Sequence, residues 1–181
     1  MRIDNTPIEG LKVIYPAVFS DSRGYFFESW NEKAFKESGV ITSFVQDNQS
    51  LSQRGVLRGL HFQSPPFAQA KLVRVINGAV LDIAVDIRKR SATYGKYFAI
   101  ELTAENKTMF YMPAGFAHGF LTLRDNTIFS YKCSGYYSKI SEGTILWNDP
   151  DLSIDWGIDD PVLSTKDVIG EPFRSFVSPF N

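Results

Sequence analysis

Only two histidines occur in these 181 residues, and each sits in a short motif of a chemical kind. The first motif is Arg58-Gly59-Leu60-His61, which runs on to Lys71. The second is Pro113-Ala114-Gly115-Phe116-Ala117-His118-Gly119-Phe120. Imidazole is the side chain whose ordinary pKa lies near neutrality, so it serves as a proton-transfer group and as a metal ligand. Two histidines on neighbouring strands would mark a metal site or an acid/base pocket. The plain alternative is two unrelated histidines in the core or on the surface. The Gly, Arg, Lys and Pro signals beside each one argue for chemistry.

Pro-X-Gly-X-X-His, here Pro113 to His118, resembles the second motif of the cupin superfamily of jelly-roll proteins. Metal-binding cupins place His-X-His and then a Glu in the first motif. This chain reads His61-Phe62-Gln63 there, and no Glu lies between His61 and Glu101. Zinc and iron sites generally take three or more protein ligands, and Lys71 would repel a dication. No metal is therefore expected. What remains is a base (His61), fixed cations (Arg58 and Lys71), a second imidazole (His118) and a phenol (Tyr131). Such a set suits proton abstraction next to a carbonyl, which needs a base, an electrophile for the developing charge and an acid. One geometric condition follows. Arg58 and His61 are three apart, so a regular strand would point them to opposite faces. Both reach one pocket only if the chain bulges near Gly59.

The elements needed to position these groups are mostly strands. Short β-branched and aromatic runs separated by turn residues predict an all-β sandwich or barrel. A hairpin is predicted from Lys71–Ile76 and Ala79–Ile87, joined by Asn77-Gly78 in a type I′ turn. Further strands are predicted at Tyr97–Thr103, Thr108–Met112, Gly119–Leu123 and Thr127–Tyr136. Weaker candidates are Leu11–Phe19, Tyr25–Trp30 and Phe44–Ser50. One helix is predicted at Asn31–Ser38, capped by Asn31, with Ala34 and Phe35 inward and Gly39 ending it. Leu163–Asp167 reads as a turn or helix start. With no repeat, linker or low-complexity tract, the expectation is a single domain over residues 1–181.

Composition narrows the partners. The formal net charge of −1 provides no overall field for nucleic acid or an anionic membrane, so an anionic substrate must be met by local Arg and Lys. The 14% aromatic content suits a β-rich core and a pocket that stacks on ring-shaped ligands. The lone cysteine, Cys133, excludes an intramolecular disulfide framework and suits a reducing cytoplasm; its apolar neighbours give it a packing role. Neither a signal-like start nor a spanning apolar run is present, so the expected protein is soluble and cytoplasmic.

Four ordered segments together resemble one enzyme family. They are Asp21–Glu28, Gln46–Ser50, Gly55–Gln63 and Pro113–Phe120. The family is that of dTDP-4-dehydrorhamnose 3,5-epimerase, and the likeness continues through Tyr131, Ser141-Glu142-Gly143 and Leu163–Asp167. It implies a cupin-type jelly roll with a few short helices, a homodimer with strand exchange, no cofactor and a nucleotide-sugar substrate. His61 would be the base for the C5 and C3 protons, with Asp167 orienting it and stabilising its imidazolium. Tyr131 would donate a proton from the opposite face. Lys71, aided by Arg58 and His118, would stabilise the C4 enolate oxygen. Arg23, Glu28, Gln46, Asp47 and Asn48 would bind the nucleotide and pyrophosphate, and Glu142 and Lys166 would close the site. Arg suits phosphate through its paired donors. Asp82 is left as either an inward carboxylate near Lys71 or a structural partner. Related epimerases act on other nucleotide 4-keto sugars, GDP-linked heptoses included, or invert one carbon only. A non-catalytic sugar-nucleotide-binding cupin is the reading of another class.

Overall fold

A computed structural model describes residues 1–181. Thirteen strands follow one another in the order β1 (Arg2–Asn5), β2 (Lys12–Tyr15), β3 (Phe19–Asp21), β4 (Gly24–Phe26), β5 (Gln46–Ser52), β6 (Leu57–Gln63), β7 (Lys71–Asn77), β8 (Ala79–Asp86), β9 (Tyr97–Thr103), β10 (Met109–Met112), β11 (Phe116–Thr122), β12 (Thr127–Cys133) and β13 (Glu142–Thr144). Two short helices, α1 (Glu32–Glu37) and α2 (Thr165–Val168), complete the set with a 3-10 turn at Lys139–Ser141. A six-stranded sheet, β1-β2-β10-β7-β12-β5, faces a five-stranded sheet, β13-β6-β11-β8-β9, with every pairing antiparallel. The strand pattern predicts an all-β sandwich or barrel, and the structure is the jelly-roll sandwich that the resemblance implies. No helix is long and apolar enough to cross a membrane.

Alternation along the strands explains the layers. Val73, Val75, Phe110 and Phe129 of one sheet meet Val80, Ala84, Phe116 and Phe120 of the other in the central core. The five-stranded sheet buries its second face too, because Leu57, Leu60, Ile83, Val85 and Leu121 pack under the C-terminal segment carrying Leu152, Trp156 and Phe176. Coverage on both faces is why β8 and β11 read as nearly unbroken apolar runs. The outer face of the six-stranded sheet is covered by α1, whose Phe35 is buried with Ile14, Leu72 and Met109. Asn31 caps α1 by accepting a hydrogen bond from the Ala34 N–H, as predicted, and Gly39 follows it at a positive φ. Phe35→Ala should cost about 3–5 kcal/mol of stability.

The predicted hairpin at Asn77-Gly78 is not a hairpin. β7 and β8 belong to different sheets, and the turn between them is a corner of the sandwich. A type I′ turn needs two positive φ angles; Gly78 has one and Asn77 does not. Asn77 instead donates its side-chain amide to Asn126 O at 2.8 Å, and Gly78 lies against Thr127, where a Cβ would fall 2.2 Å from the hydroxyl. The Leu11–Phe19 candidate splits into β2 and β3 at Pro16, which cannot donate to a ladder. Tyr25–Trp30 is strand only as far as Phe26, and β12 stops at Cys133, short of Tyr136.

Candidate active site

The open end of the sandwich encloses a cavity of about 320 Å³ whose lining comes from both sheets and from α2. From the five-stranded sheet come Arg58 and His61 on β6 and His118 on β11; from the six-stranded sheet come Gln46 and Asn48 on β5, Lys71 on β7 and Tyr131 on β12. Glu142, Lys166 and Asp167 close the list of sequence-predicted residues in the cavity wall. The condition set by the spacing of Arg58 and His61 is met. His61 pairs with His118 and Arg58 with Phe120, so three steps along β6 match two along β11, which is a bulge. Two facing glycines permit it. A Cβ on Gly59 would sit 2.6 Å from Gly119 Cα, and one on Gly119 would sit 2.9 Å from Arg58 O.

His61 Nε2 lies 2.7 Å from Asp167 Oδ1. Local sequence builds the carboxylate's seat. Ser164 and Asp167 form a capping box on α2, with Asp167 Oδ2 accepting from Ser164 N–H at 3.1 Å and from its hydroxyl at 2.5 Å. Oδ1 also accepts from Gly59 N–H at 3.1 Å. Burial alone would raise this carboxyl, but the hydrogen bonds from His61, Ser164 and Gly59 outweigh it and hold its pKa at about 2. Burial pushes His61 below the ordinary imidazole range, and the bond to Asp167 only partly opposes this. His61 is therefore neutral at pH 7. With Nε2–H donated to the carboxylate, Nδ1 carries the free lone pair.

Across the cavity, burial raises the Tyr131 phenol, so it stays protonated and able to donate. Asn48 is its direct partner in the β5–β12 register. Lys71 Nζ lies 6.0 Å from the centre of the Tyr131 ring. Burial lowers the Lys71 ammonium, and Lys71 takes part in none of the protein's ion pairs. An unpaired cation in a desolvated pocket is an electrophile waiting for an anionic oxygen. Arg58 is steadied by Ser52, whose hydroxyl accepts from Nε at 3.3 Å. Asp82 is fully buried and holds His118 Nε2 with both oxygens, at 3.1 and 3.0 Å. Its charge also acts on Lys71, so both readings of Asp82 have a physical basis. Lys166 and Glu142 form an ion pair at the cavity wall.

Three sequence-predicted residues lie elsewhere in the single chain. Arg23 is exposed on the β3–β4 hairpin and pairs with Asp21 at 2.6 Å. Glu28 accepts from the Asn31 amide beside α1. Asp47 alternates with Gln46 and Asn48, so it points to the other face of β5 and binds Lys132 at 2.9 Å. Gln63, Gln69, Tyr137 and Ser164 line the cavity without having been singled out as site residues. Ser164 carried a signal, since Ser-x-x-Asp is a capping-box spacing. Gln63 was visible only as a missing metal ligand. In the fold its carboxamide is spent on backbone groups of Phe67, Tyr136 and Ser138. A dication would meet two separate His–carboxylate pairs, this committed amide and the Lys71 ammonium, a poor donor set.

The His–Asp pair, the opposed phenol and the unpaired lysine are what the resemblance implies for an epimerase pocket. Comparison with known proteins decides the family. The family model for dTDP-4-dehydrorhamnose 3,5-epimerase matches residues 5–175. The chain belongs to the dTDP-4-dehydrorhamnose 3,5-epimerase family. It is 49% identical over 174 residues to the dTDP-4-dehydrorhamnose 3,5-epimerase of Shigella flexneri, covering 96% of each chain. The crystal structure of that enzyme from Elizabethkingia anophelis NUHP1 superposes with a TM-score of 0.92 at 51% identity, over 96% of this chain and 97% of that one. A dTDP-6-deoxy-D-glucose-3,5-epimerase from Legionella pneumophila Philadelphia 1, solved with dTDP-4-keto-L-rhamnose, gives 0.93 at 47% identity over 97% and 94%. The family's cupin jelly roll is the fold described above.

Proposed function

We propose that this chain, as one domain over residues 1–181, epimerises C3 and C5 of dTDP-4-dehydro-6-deoxy-D-glucose to give dTDP-4-dehydro-L-rhamnose. One observation carries the chemistry. The His61–Asp167 pair and the Tyr131 phenol stand on opposite sheets and face one cavity that also holds the unpaired Lys71.

His61 Nδ1 takes the C5 proton, and the electron pair of that C–H bond moves to the C4 carbonyl oxygen as an enolate. Lys71, with Arg58 and His118, stabilises that oxygen. As the C4 carbonyl re-forms, Tyr131 gives a proton to C5 from the other face and the carbon inverts. The His61 imidazolium then releases its proton to solvent, and the Tyr131 phenolate regains one from it. The same cycle repeats at C3. No redox step arises, and the chain's own groups carry each proton, so no cofactor or metal is required. Enolate stabilisation is indispensable, because a ketone α-proton is far less acidic than imidazolium and each pKa unit of mismatch costs about 1.36 kcal/mol.

Gln46, Asn48, Glu142 and Lys166 bind and enclose the nucleotide sugar, and Arg23 and Glu28 complete recognition of its nucleotide end, while Asp47 holds Lys132 on the other face of β5. The β3–β4 hairpin supports a homodimer as the working unit, because Phe19, Tyr25 and Phe26 are more than half exposed there beside Arg23. The protein acts in the cytoplasm, where its free buried Cys133 stays reduced. Incubation with dTDP-4-dehydro-6-deoxy-D-glucose tests the reading by NMR. Inversion at both carbons is expected; recovery of unchanged sugar contradicts it.

A further inference from the structure

After β12 the chain leaves the sheet, and Gly135–Ser138 crosses the edge of the cavity with no ladder partner. Its backbone is satisfied by glutamine side chains instead. Gln69 Nε2 donates to Gly135 O at 2.6 Å, and Gln63 Nε2 donates to Tyr136 O at 3.2 Å. The next two N–H groups donate in turn. Tyr137 N–H reaches Gln46 Oε1 at 3.1 Å, and Ser138 N–H reaches Gln63 Oε1 at 2.7 Å. Gln46 comes from the six-stranded sheet and Gln63 from the five-stranded sheet, so consecutive amides are tied to opposite halves of the sandwich.

Gln63 has no amide hydrogen left for a ligand. Its side chain is buried, its second amide hydrogen goes to Phe67 O at 2.7 Å, and its carbonyl takes Ser138. The segment it pins carries Tyr137, whose ring lines the cavity and whose hydroxyl donates to Glu142 Oε2 at 3.3 Å. Glu142 pairs with Lys166, the residue before the carboxylate that holds His61. The held segment is thus wall and anchor together, while proton transfer occurs elsewhere in the cavity.

We propose that Gln63, with Gln46 opposite it, clamps the Tyr136–Ser138 segment so that Tyr137 forms a fixed wall of the substrate pocket. Gln63 is a positioning residue for substrate binding and has no part in moving protons. The inference rests on the epimerase reading for the meaning of the pocket, and on the hydrogen bonds alone for the clamp.

Two measurements on the full chain test it. In Gln63→Leu, hydrogen exchange of the Tyr137 and Ser138 amides should quicken by roughly tenfold or more, and KM should rise roughly tenfold with kcat within about twofold. Tyr137 is exposed, so Tyr137→Ala folds safely; it should raise KM similarly, and the double variant should rise no further. Gln63→Glu keeps the shape and the acceptor for Ser138 but turns a carboxylate oxygen toward Phe67 O and Tyr136 O, and should quicken exchange and raise KM at least as much as Gln63→Leu. Unchanged amide exchange in Gln63→Leu overturns the clamp. Additive KM effects, or a loss of kcat with KM unchanged, overturn the positioning role. The exchange arm uses no substrate, so a wild type without epimerase activity counts against the function proposed above and leaves the clamp to its own test.

Discussion

His61 and Asp167 are 106 positions apart in the chain and 2.7 Å apart in the fold. The same carboxylate closes the capping box of α2 and accepts from the backbone of the β6 bulge. Asp167 therefore fixes the helix, the bulge and the tautomer of His61 at once. Asp167→Asn is expected to lower kcat by roughly a hundredfold or more, since general-base catalysis is worth about 10²–10⁴. The acidic limb of kcat/KM should sit below the ordinary histidine value in the wild type, because burial lowers His61. It should move lower still in the variant, where the carboxylate no longer favours the imidazolium. A limb that moves upward contradicts this pairing.

The same site makes stability fall on the acid side. Asp167 has a folded pKa of about 2 against 3.8, so its contribution is present above about pH 4 and is lost as pH falls toward 2. That difference corresponds to about 2 kcal/mol at neutral pH. His61, lowered by burial, adds stability above its unfolded value of about 6.5 that is lost as pH falls through and below that value. Urea unfolding at pH 7, 5 and 3 should show successive losses, and Asp167→Asn should flatten the last step. Equal wild-type stability at pH 5 and 3 would argue against it.

Exhaustive chelation should leave activity intact. Gln63 spends its carboxamide on the protein backbone, no three His, Cys, Asp or Glu side chains are grouped to hold an ion, and the Lys71 ammonium shares the cavity. Activity lost with stoichiometric metal and restored on its return would sink the cofactor-free account.

Light scattering should give a particle of twice 20.4 kDa. Arg23 and Glu28 lie outside the cavity of their own chain, and in the proposed homodimer they complete the nucleotide end of the partner's site. Arg23→Ala should raise KM by roughly ten- to a hundredfold, as expected for a bidentate charge-assisted contact. Mixing Arg23→Ala with His61→Ala subunits should restore part of the activity. An active monomer of 20.4 kDa, or an unchanged KM, would contradict this arrangement.

The parts of this protein that were legible in the sequence are those governed by local chemistry. Asn31, Phe35 and Gly39 announced α1 because capping, burial and chain reversal are decided within a few residues. The need for a bulge at Gly59 followed from the spacing of Arg58 and His61 alone. Asn77-Gly78 misled because turn chemistry reports that the chain turns and is silent on which sheet receives it. Gln63 and Tyr137 were invisible for a related reason. Their roles are hydrogen bonds to backbone atoms far along the chain, and a backbone carbonyl has no residue type to recognise. The family resemblance placed His61, Tyr131 and Asp167 in one site, which spacing alone could not do for residues drawn from β6, β12 and α2.

The central claim is that His61 removes both protons and Tyr131 returns them from the facing sheet. It is tested most directly by running the reaction on the 4-keto-6-deoxy sugar nucleotide in heavy water and reading C3 and C5 by NMR. The wild type should carry deuterium at both carbons with both inverted. His61→Ala should abolish both exchanges. Tyr131→Phe should still exchange through His61 but fail to invert, because the deuteron then returns to the original face. Normal inversion in Tyr131→Phe would assign the acid to another residue, and deuterium at one carbon only in the wild type would make this a single-position epimerase.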